Sequence, residues 1–228
     1  MPSYARKHQL NNSLVYHIFN RSNARISIFN SEADYSHFIK LLIDYSHNFK
    51  VSVYHWVIMS NHYHLLLEIE EPETISRLMA GLNRAYTHYY HKIYLSSGFL
   101  WQGRFKLQPV QKERYLVACG RYIERNPVRA NIVVEAQDYL YSSARFYCFG
   151  ASDNLTSEDP TFIQFGKEIT QRQTTYKEFL RNFDNEEESS FANLENPQGD
   201  KEFIKRLVKK RGRYMPRRRG KPIKRIIT

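Results

Sequence analysis

The sequence predicts an α+β protein: a ferredoxin-like β-α-β-β-α-β sandwich with an antiparallel sheet, one further helix and a basic C-terminal extension. Three observations support this class. Four segments read as strands and three longer ones repeat apolar residues at helical spacing. Hydrophobic residues make up 42% of the 228-residue chain, which is enough for one sizeable core.

The first two elements are a strand and a helix. The strand is predicted from Leu14 to Arg21, where inward and outward side chains alternate. The helix is predicted from about Glu32 to His47 with Ser31 as its N-cap, because apolar residues recur at helical spacing: Tyr35, Phe38, Ile39, Leu42 and Tyr45.

A hairpin and a second helix follow. Val51 to Met59 and His62 to Ile69 are predicted as strands joined by a tight turn at Ser60-Asn61. The helix runs roughly from Thr74 to Tyr94, is opened by Pro72 and carries an apolar stripe on one face.

The last strand and helix complete the pattern. Phe105 to Gln111 is predicted as an edge strand, because Pro109 lacks the N–H that an inner strand needs. The third helix runs from about Glu113 to Arg125 and stops at Pro127. In this order two helices cover one face of the sheet, and the open face is free to take a ligand.

Charge divides the chain into three predicted regions. Residues 1–150 carry 17 Lys and Arg against 11 Asp and Glu, residues 151–200 carry 4 against 11, and residues 201–228 carry 13 against 1. We expect the middle region to be an acidic, partly helical segment and a linker without a core. The basic tail, with Arg217, Arg218 and Arg219, is typical of an arm that contacts nucleic-acid phosphates; the alternative is a solvated tail with no fixed partner.

Composition also bears on the compartment. No stretch is long and apolar enough for a transmembrane span, and Met1 to Asn12 lacks the apolar run of a signal peptide. Cys119 and Cys148 lack metal-ligand spacing, as expected of reduced, partly buried thiols. We therefore expect a cytoplasmic protein with no membrane partner; its expected association with the nucleoid rests instead on the nucleic-acid contacts predicted for the basic tail.

His62-Tyr63-His64 is the most informative motif. Because side chains alternate along a strand, the two imidazoles project from one face, about 7 Å apart. They could share one divalent cation or grip one phosphate. The surrounding residues are aromatic and aliphatic, so a polar pair there needs a partner. Hydrogen bonds to the backbone are the alternative explanation.

The third helix carries a second group of polar residues. Tyr122 and Asn126 lie four apart, so a helix stacks them on one face. Tyrosine, with a pKa of about 10, is a poor nucleophile, but a nearby cation that polarises a phosphate would make its attack feasible. The Asn126 oxygen and two imidazoles would suit Mg²⁺ or Mn²⁺. The direction of Asn126 stays open, since a residue before proline avoids helical backbone angles. A packed aromatic is the alternative for Tyr122.

These motifs together resemble a known family. Residues 56–67, 103–105 and 121–130 (WVIMSNHYHLLL, GRF and RYIERNPVRA) follow the order found in the Y1 (HUH) tyrosine transposases. Within that family they most resemble the REP-associated tyrosine transposases. The resemblance covers about residues 10–145, and it is specific because three separated motifs carry it.

The resemblance implies a metal-dependent single-stranded DNA endonuclease and strand transferase acting on REP-type hairpin DNA, with residues 1–150 as its catalytic domain. His62, His64 and Asn126 would hold the metal, and Tyr122 would be the single nucleophile. In the family the tyrosine attacks a phosphodiester, leaving a 5′-phosphotyrosyl enzyme and a free 3′-hydroxyl that can rejoin strands. The sequence has no P-loop, which fits chemistry that needs no nucleotide triphosphate.

Other functions and partners remain open at this point. One alternative is a catalytically silent or regulatory DNA-binding protein on the same scaffold, and another is an RNA-directed enzyme or regulator. Both a monomer and a homodimer are compatible with the sequence. Candidate contacts to the DNA backbone, each of which could instead be a solvated surface group, are Arg104, Lys106, Arg121, Arg125 and Arg129.

Overall fold

A four-stranded antiparallel sheet lies at the centre of the protein. The computed structural model describes residues 14–112, 114–194 and 196–211. The strands take the order β2-β3-β1-β4, with β1 at Leu14–Arg21, β2 at Ser52–Met59, β3 at His62–Ile69 and β4 at Lys106–Val110. Pro109 lies in an edge strand, as predicted. The predicted α+β class is confirmed.

Helices connect and cover these strands. The three predicted helices occur at nearly the expected bounds, and Ser31 caps the first through a capping box with Asp34. The described helices are α1 (Glu32–Asn48), α2 (Pro72–Tyr94), α3 (Arg114–Glu124), α4 (Asn126–Arg129), α5 (Ala144–Phe149), α6 (Ile169–Arg181), α7 (Asn185–Ala192) and α8 (Lys201–Arg211).

Both faces of the sheet are covered, so the expected open face is wrong. Tyr16 and Ile18 belong to the core beneath α1 and α2. Their neighbour Val15 points the other way and packs in a second core with residues of α3 and Phe191 of α7. Because strand side chains alternate, this second face also carries apolar residues, and these need a cover of their own.

The acidic region also differs from its prediction as a linker without a core. Phe191 is fully buried, and Glu188 is only 6% exposed. The run of acidic residues folds because arginines of α3 and α4 neutralise part of it. Tyr176 is buried in α6, within the region expected to be partly helical. The division of the chain at residues 150 and 200 stays a prediction.

The C-terminal part of the described chain continues along the edge of the sheet. Gln198 bonds to the backbone of Pro109 and Gln111, and this pairing covers the end of β4. In α8, Phe203 and Leu207 are buried, as their spacing predicts. The predicted DNA contacts at 217–219 lie outside the described residues.

Two further expectations concern the cysteines and membrane-spanning segments. Cys119 and Cys148 are both free and buried. Within the described ranges, no helix combines the length and the apolar character needed to cross a bilayer.

Candidate active site

The face of the sheet beneath α3 brings the predicted site residues together. His62 and His64 share this face on β3, and their ring centroids lie 5.3 Å apart. The ring of Tyr122 lies 5.8 Å from that of His64, and the Asn126 amide lies close enough to His62 to influence its pKa. The predicted grouping of these four residues is therefore present, while their chemical roles stay a prediction.

The direction of Asn126, left open by the sequence, follows from its neighbour. Pro127 has no N–H for the carbonyl of Ile123, four residues earlier. The Asn126 amide nitrogen donates to that carbonyl instead, at 3.1 Å, and to the carbonyl of Tyr122 at 3.2 Å. The chain continues as the short helix α4, and the amide oxygen of Asn126 remains available for another partner.

Burial sets the charge state of the site. Burial lowers the pKa of His62 to about 4, against the influence of the neighbouring Asn126 amide, which acts to raise it. Burial and the neighbouring imidazoles hold the pKa of His64 well below its ordinary value. Burial raises the pKa of Tyr122, while the charge of Arg129 opposes that rise. At neutral pH both histidines are thus neutral and the tyrosine keeps its proton.

The available donors fit a divalent cation. Asn61 donates its amide nitrogen to the carbonyl of Arg25, so its oxygen faces Nδ1 of His62 at 2.6 Å. The His62 proton therefore lies on Nδ1, and Nε2 keeps a lone pair. In the described residues no group of three or more His, Cys, Asp or Glu could hold a metal, so the third donor would be the Asn126 oxygen.

Sequence reasoning missed the support behind His64. Nδ1 of His64 lies 2.8 Å from Nε2 of His17, which is fully buried and bonds in turn to Gln108. The alternation that puts His17 on the same side of β1 as Phe19 was the available signal, since Phe19 pairs with His64.

The acidic helix α7 lies against Tyr122. Phe191 packs on the tyrosine ring with centroids 5.9 Å apart, and Tyr122 is only 7% exposed. Arg129 covers another side, with its Cζ 4.1 Å from the ring centroid. The tyrosine therefore lies between the histidines, an aromatic cover and a cation.

Three predicted DNA contacts form ion pairs with this helix, and two of them, Arg121 and Arg125, are buried. Glu188 forms ion pairs with Arg125 at 2.7 Å and with Arg129 at 3.3 Å. Arg121 pairs with Glu187 and is 8% exposed, while Arg125 is 6% exposed. Arg125 and Arg129 thus share a side, because the chain stays nearly helical through Pro127.

Exposed cations lie at the rim of the same face. Lys106 pairs with Phe19 across β4 and β1, and Phe19 pairs with His64, so these three side chains share a row. Lys106 and Arg104 are exposed. Arg21 pairs with His62 in the same way and was not among the predicted contacts.

A buried ionic network fixes α3 from below. His55 is fully buried and bonds to Glu124 at 2.8 Å and to Asp159 at 3.0 Å. Burial alone would lower the pKa of His55, but the two carboxylates outweigh it and raise the pKa to about 9. Glu124 also accepts hydrogen bonds from Ser143 and Tyr176. The helix that carries Tyr122 is therefore tied to β2 and to α6.

A comparison with one solved structure agrees with this architecture. A solved REP-associated tyrosine transposase bound to a REP hairpin matches with a TM-score of 0.55 and 18% identity, over 70% of this chain and 93% of the other. A Deinococcus radiodurans R1 protein provisionally assigned as a transposase matches with a TM-score of 0.38 and 17% identity, over 58% of this chain and 92% of the other. No curated protein matches.

The family comparison covers the site itself. The sequence model described as IS200-like transposase matches residues 11–126, just over half of the chain. That range includes both histidines, Tyr122 and Asn126. The chain therefore belongs to the Y1, IS200-like transposase family.

Proposed function

We propose that this protein is a metal-dependent single-stranded DNA endonuclease and strand transferase that acts on hairpin DNA of the REP type. The observation that carries the proposal is the convergence of His62, His64 and Asn126 beside a single buried tyrosine, Tyr122. The hairpin substrate is suggested by the REP-associated transposase of similar fold, which was solved with a REP hairpin.

Tyr122 is the nucleophile of the proposed reaction. Its phenol oxygen bonds to the phosphorus of a DNA phosphodiester and its proton passes to solvent, while the bond from phosphorus to the 3′ oxygen breaks and that oxygen takes a proton from water. The products are a 5′-phosphotyrosyl protein and a free 3′-hydroxyl. Attack by a 3′-hydroxyl on the phosphotyrosine rejoins a strand and restores the phenol, so the phosphodiester bond energy is conserved.

The other site residues bind and orient. His62, His64 and Asn126 would hold a divalent ion, Mg²⁺ or Mn²⁺, which when bound supplies positive charge that polarises the phosphate. Arg129 lies over the tyrosine ring and favours the phenolate, which lowers the cost of losing the proton. Lys106 and Arg104, both exposed, would contact DNA phosphates on either side of the reacting one.

Trapping of the covalent protein–DNA adduct tests this proposal. Hairpin oligonucleotides with single-stranded flanks are labelled at the 3′ end, because the fragment on that side of the cut stays bonded to the tyrosine. With Mn²⁺ we expect a labelled band that survives denaturing electrophoresis. Tyr122→Phe and His62→Ala should abolish the band.

The same assay separates the alternatives. A silent or regulatory binding protein would shift the hairpin in a native gel without forming any adduct. An RNA-directed enzyme would form the adduct with an RNA copy of the oligonucleotide in preference to the DNA. An adduct that persists in Tyr122→Phe would contradict the assignment of the nucleophile.

A further inference from the structure

We propose that Gln108 and His17 are positioning residues that fix the proton of His64 on Nδ1 and so reserve its Nε2 lone pair for the divalent ion. This inference rests on the proposed function, because it concerns the same metal site. It assigns a role to two fully buried polar side chains that belong neither to the ligand set nor to the nucleophile.

The orientation of Gln108 is the starting point. Its amide nitrogen donates to two backbone carbonyls, that of Asn193 at 2.9 Å and that of Asn196 at 2.6 Å. Two carbonyls can only be matched by the nitrogen, since an amide oxygen has no proton to donate. The Gln108 oxygen is therefore turned inward, toward His17, and cannot exchange places with the nitrogen without facing two carbonyl oxygens with another acceptor.

The inward oxygen of Gln108 then determines which ring nitrogen of His17 carries the proton. Nδ1 of His17 lies 3.2 Å from the Gln108 oxygen, which only accepts, so Nδ1 must carry the proton. A neutral imidazole has one protonated nitrogen, and full burial favours the neutral ring. Nε2 of His17 is accordingly a hydrogen-bond acceptor.

His64 completes the series. Its Nδ1 lies 2.8 Å from Nε2 of His17, and because the latter accepts, Nδ1 of His64 must donate. The remaining nitrogen of His64, Nε2, is left with a lone pair. Metal-bound histidines commonly donate their second N–H to a fixed acceptor, which sets both the tautomer and the ring orientation. Here that acceptor is another imidazole, itself held by an amide.

The opposite placement of the histidine protons would bring two hydrogen-bond acceptors together. If His17 donated from Nε2, its Nδ1 lone pair would face the Gln108 oxygen, and His64 would carry its proton on the nitrogen needed for the metal. The carbonyls that prevent this belong to the segment directly after α7. The position of that segment is therefore linked, through Gln108 and His17, to the tautomer of His64.

Nitrogen NMR of the metal-free protein at pH 7.5 tests the tautomers directly. Long-range proton–nitrogen correlation spectra distinguish a proton on Nδ1 from one on Nε2. We expect His17 and His64 both to carry the proton on Nδ1 in the native chain. A proton on Nε2 of His64 would overturn the proposal, whatever the protein's activity.

Two variants then separate positioning from mere packing. Gln108→Met keeps the length of the side chain and removes its polarity, whereas Gln111→Met removes a glutamine that anchors the same C-terminal segment, through Asp200, without touching His17. We expect Gln108→Met to mix the tautomers of His64 and to weaken Mn²⁺ binding about tenfold. Gln111→Met should change neither.

Titration of free Mn²⁺ by electron paramagnetic resonance measures the affinity without any DNA. Equal Mn²⁺ affinities for the native chain and Gln108→Met, or an equal loss in both glutamine variants, would contradict a positioning role. Failure of the proposed function gives a different result: the native chain would bind no Mn²⁺, while the tautomers of the metal-free protein would still decide the present inference.

Discussion

At the scale of single residues, Asn126 uses its two amide atoms for different partners. The nitrogen replaces the hydrogen bond that Pro127 cannot make, and this holds the side chain in one direction. The oxygen is then left for the site, where the amide lies next to His62. Spacing predicts that Tyr122 and Asn126 share a face, but the direction of Asn126 depends on the missing N–H of Pro127.

Asn126→Ala tests this double use. The change removes two hydrogen bonds to the carbonyls of Tyr122 and Ile123, so the free energy of unfolding should fall by about 1–3 kcal/mol. Mn²⁺ affinity should fall as well, because one donor is lost. Urea unfolding and Mn²⁺ titration measure the two effects. Native stability in this variant would show that the amide does not support the helix.

Gly120 is a second position where one atom decides the local structure. A Cβ there would lie 2.6 Å from the His55 ring, whereas a Cβ at Gly103 would meet nothing within 4 Å. Gly120→Ala should therefore lower the free energy of unfolding by about 1–3 kcal/mol by pushing α3 off the buried network. Gly103→Ala serves as the control. Equal urea midpoints for the two variants would contradict this reading.

At the scale of elements, α7 is the part that sequence reasoning described least well. Its acidic run was expected to be a linker, and the arginines of α3 and α4 were expected to face DNA. The two sets instead neutralise each other through Glu187 and Glu188. Sequence alone could not pair them, since Arg125 and Glu188 lie 63 residues apart and both patterns are also typical of solvated surfaces.

The pairing predicts how a charge change in α7 affects DNA binding. Glu188→Gln removes the negative charge beside Arg125 and Arg129, so the exposed Arg129 becomes available to phosphates and the local positive charge rises. Hairpin DNA should bind more tightly, with a steeper dependence of log K on log salt. Filter binding at several salt concentrations measures both quantities.

Glu186→Gln is the matched control for that experiment. Glu186 lies on the same helix and is exposed, so the variant makes the same change of net charge at a position away from the arginines. Its effect on affinity should be smaller. If both variants strengthened binding equally, net charge alone would account for the result.

At the scale of the whole molecule, the strands and the first three helices are predictable from local sequence patterns. The sheet order is predictable from the order of these elements along the chain. The parts that did not follow are contacts between distant segments. The cover over the second sheet face and the bonds from Gln108 to the segment after α7 are examples, since Gln108 and Asn193 lie 85 residues apart. Periodicity predicts which face is apolar but does not identify the segment that covers it.

Buried histidines also give the whole protein a characteristic dependence of stability on pH. The folded pKa of His17 and His62 is lowered from 6.5 to about 4, so their linkage costs stability as the pH falls from 6.5 toward 4. The folded pKa of His55 is raised from 6.5 to about 9, so its contribution is complete below 6.5 and is lost as the pH rises through 9.

Together, the lowered pKa values of His17 and His62 and the raised pKa of His55 predict a maximum in the free energy of unfolding near pH 6.5. Urea unfolding at pH 5, 6.5 and 8.5 should give the largest free energy of unfolding at the middle value. A free energy that rose steadily from pH 5 to 8.5 would contradict the charged state assigned to His55. A constant free energy would contradict the neutral state of the buried histidines.

The central claim is that Tyr122, beside His62, His64 and Asn126, is the residue that bonds to DNA. Mass spectrometry of the protease-digested protein–DNA adduct tests this most directly, because the chain has 17 tyrosines and the method identifies the modified one. The account predicts a nucleotide remnant on the peptide containing Tyr122 and on no other peptide. A remnant on a different tyrosine, or on a residue of another type, would contradict it.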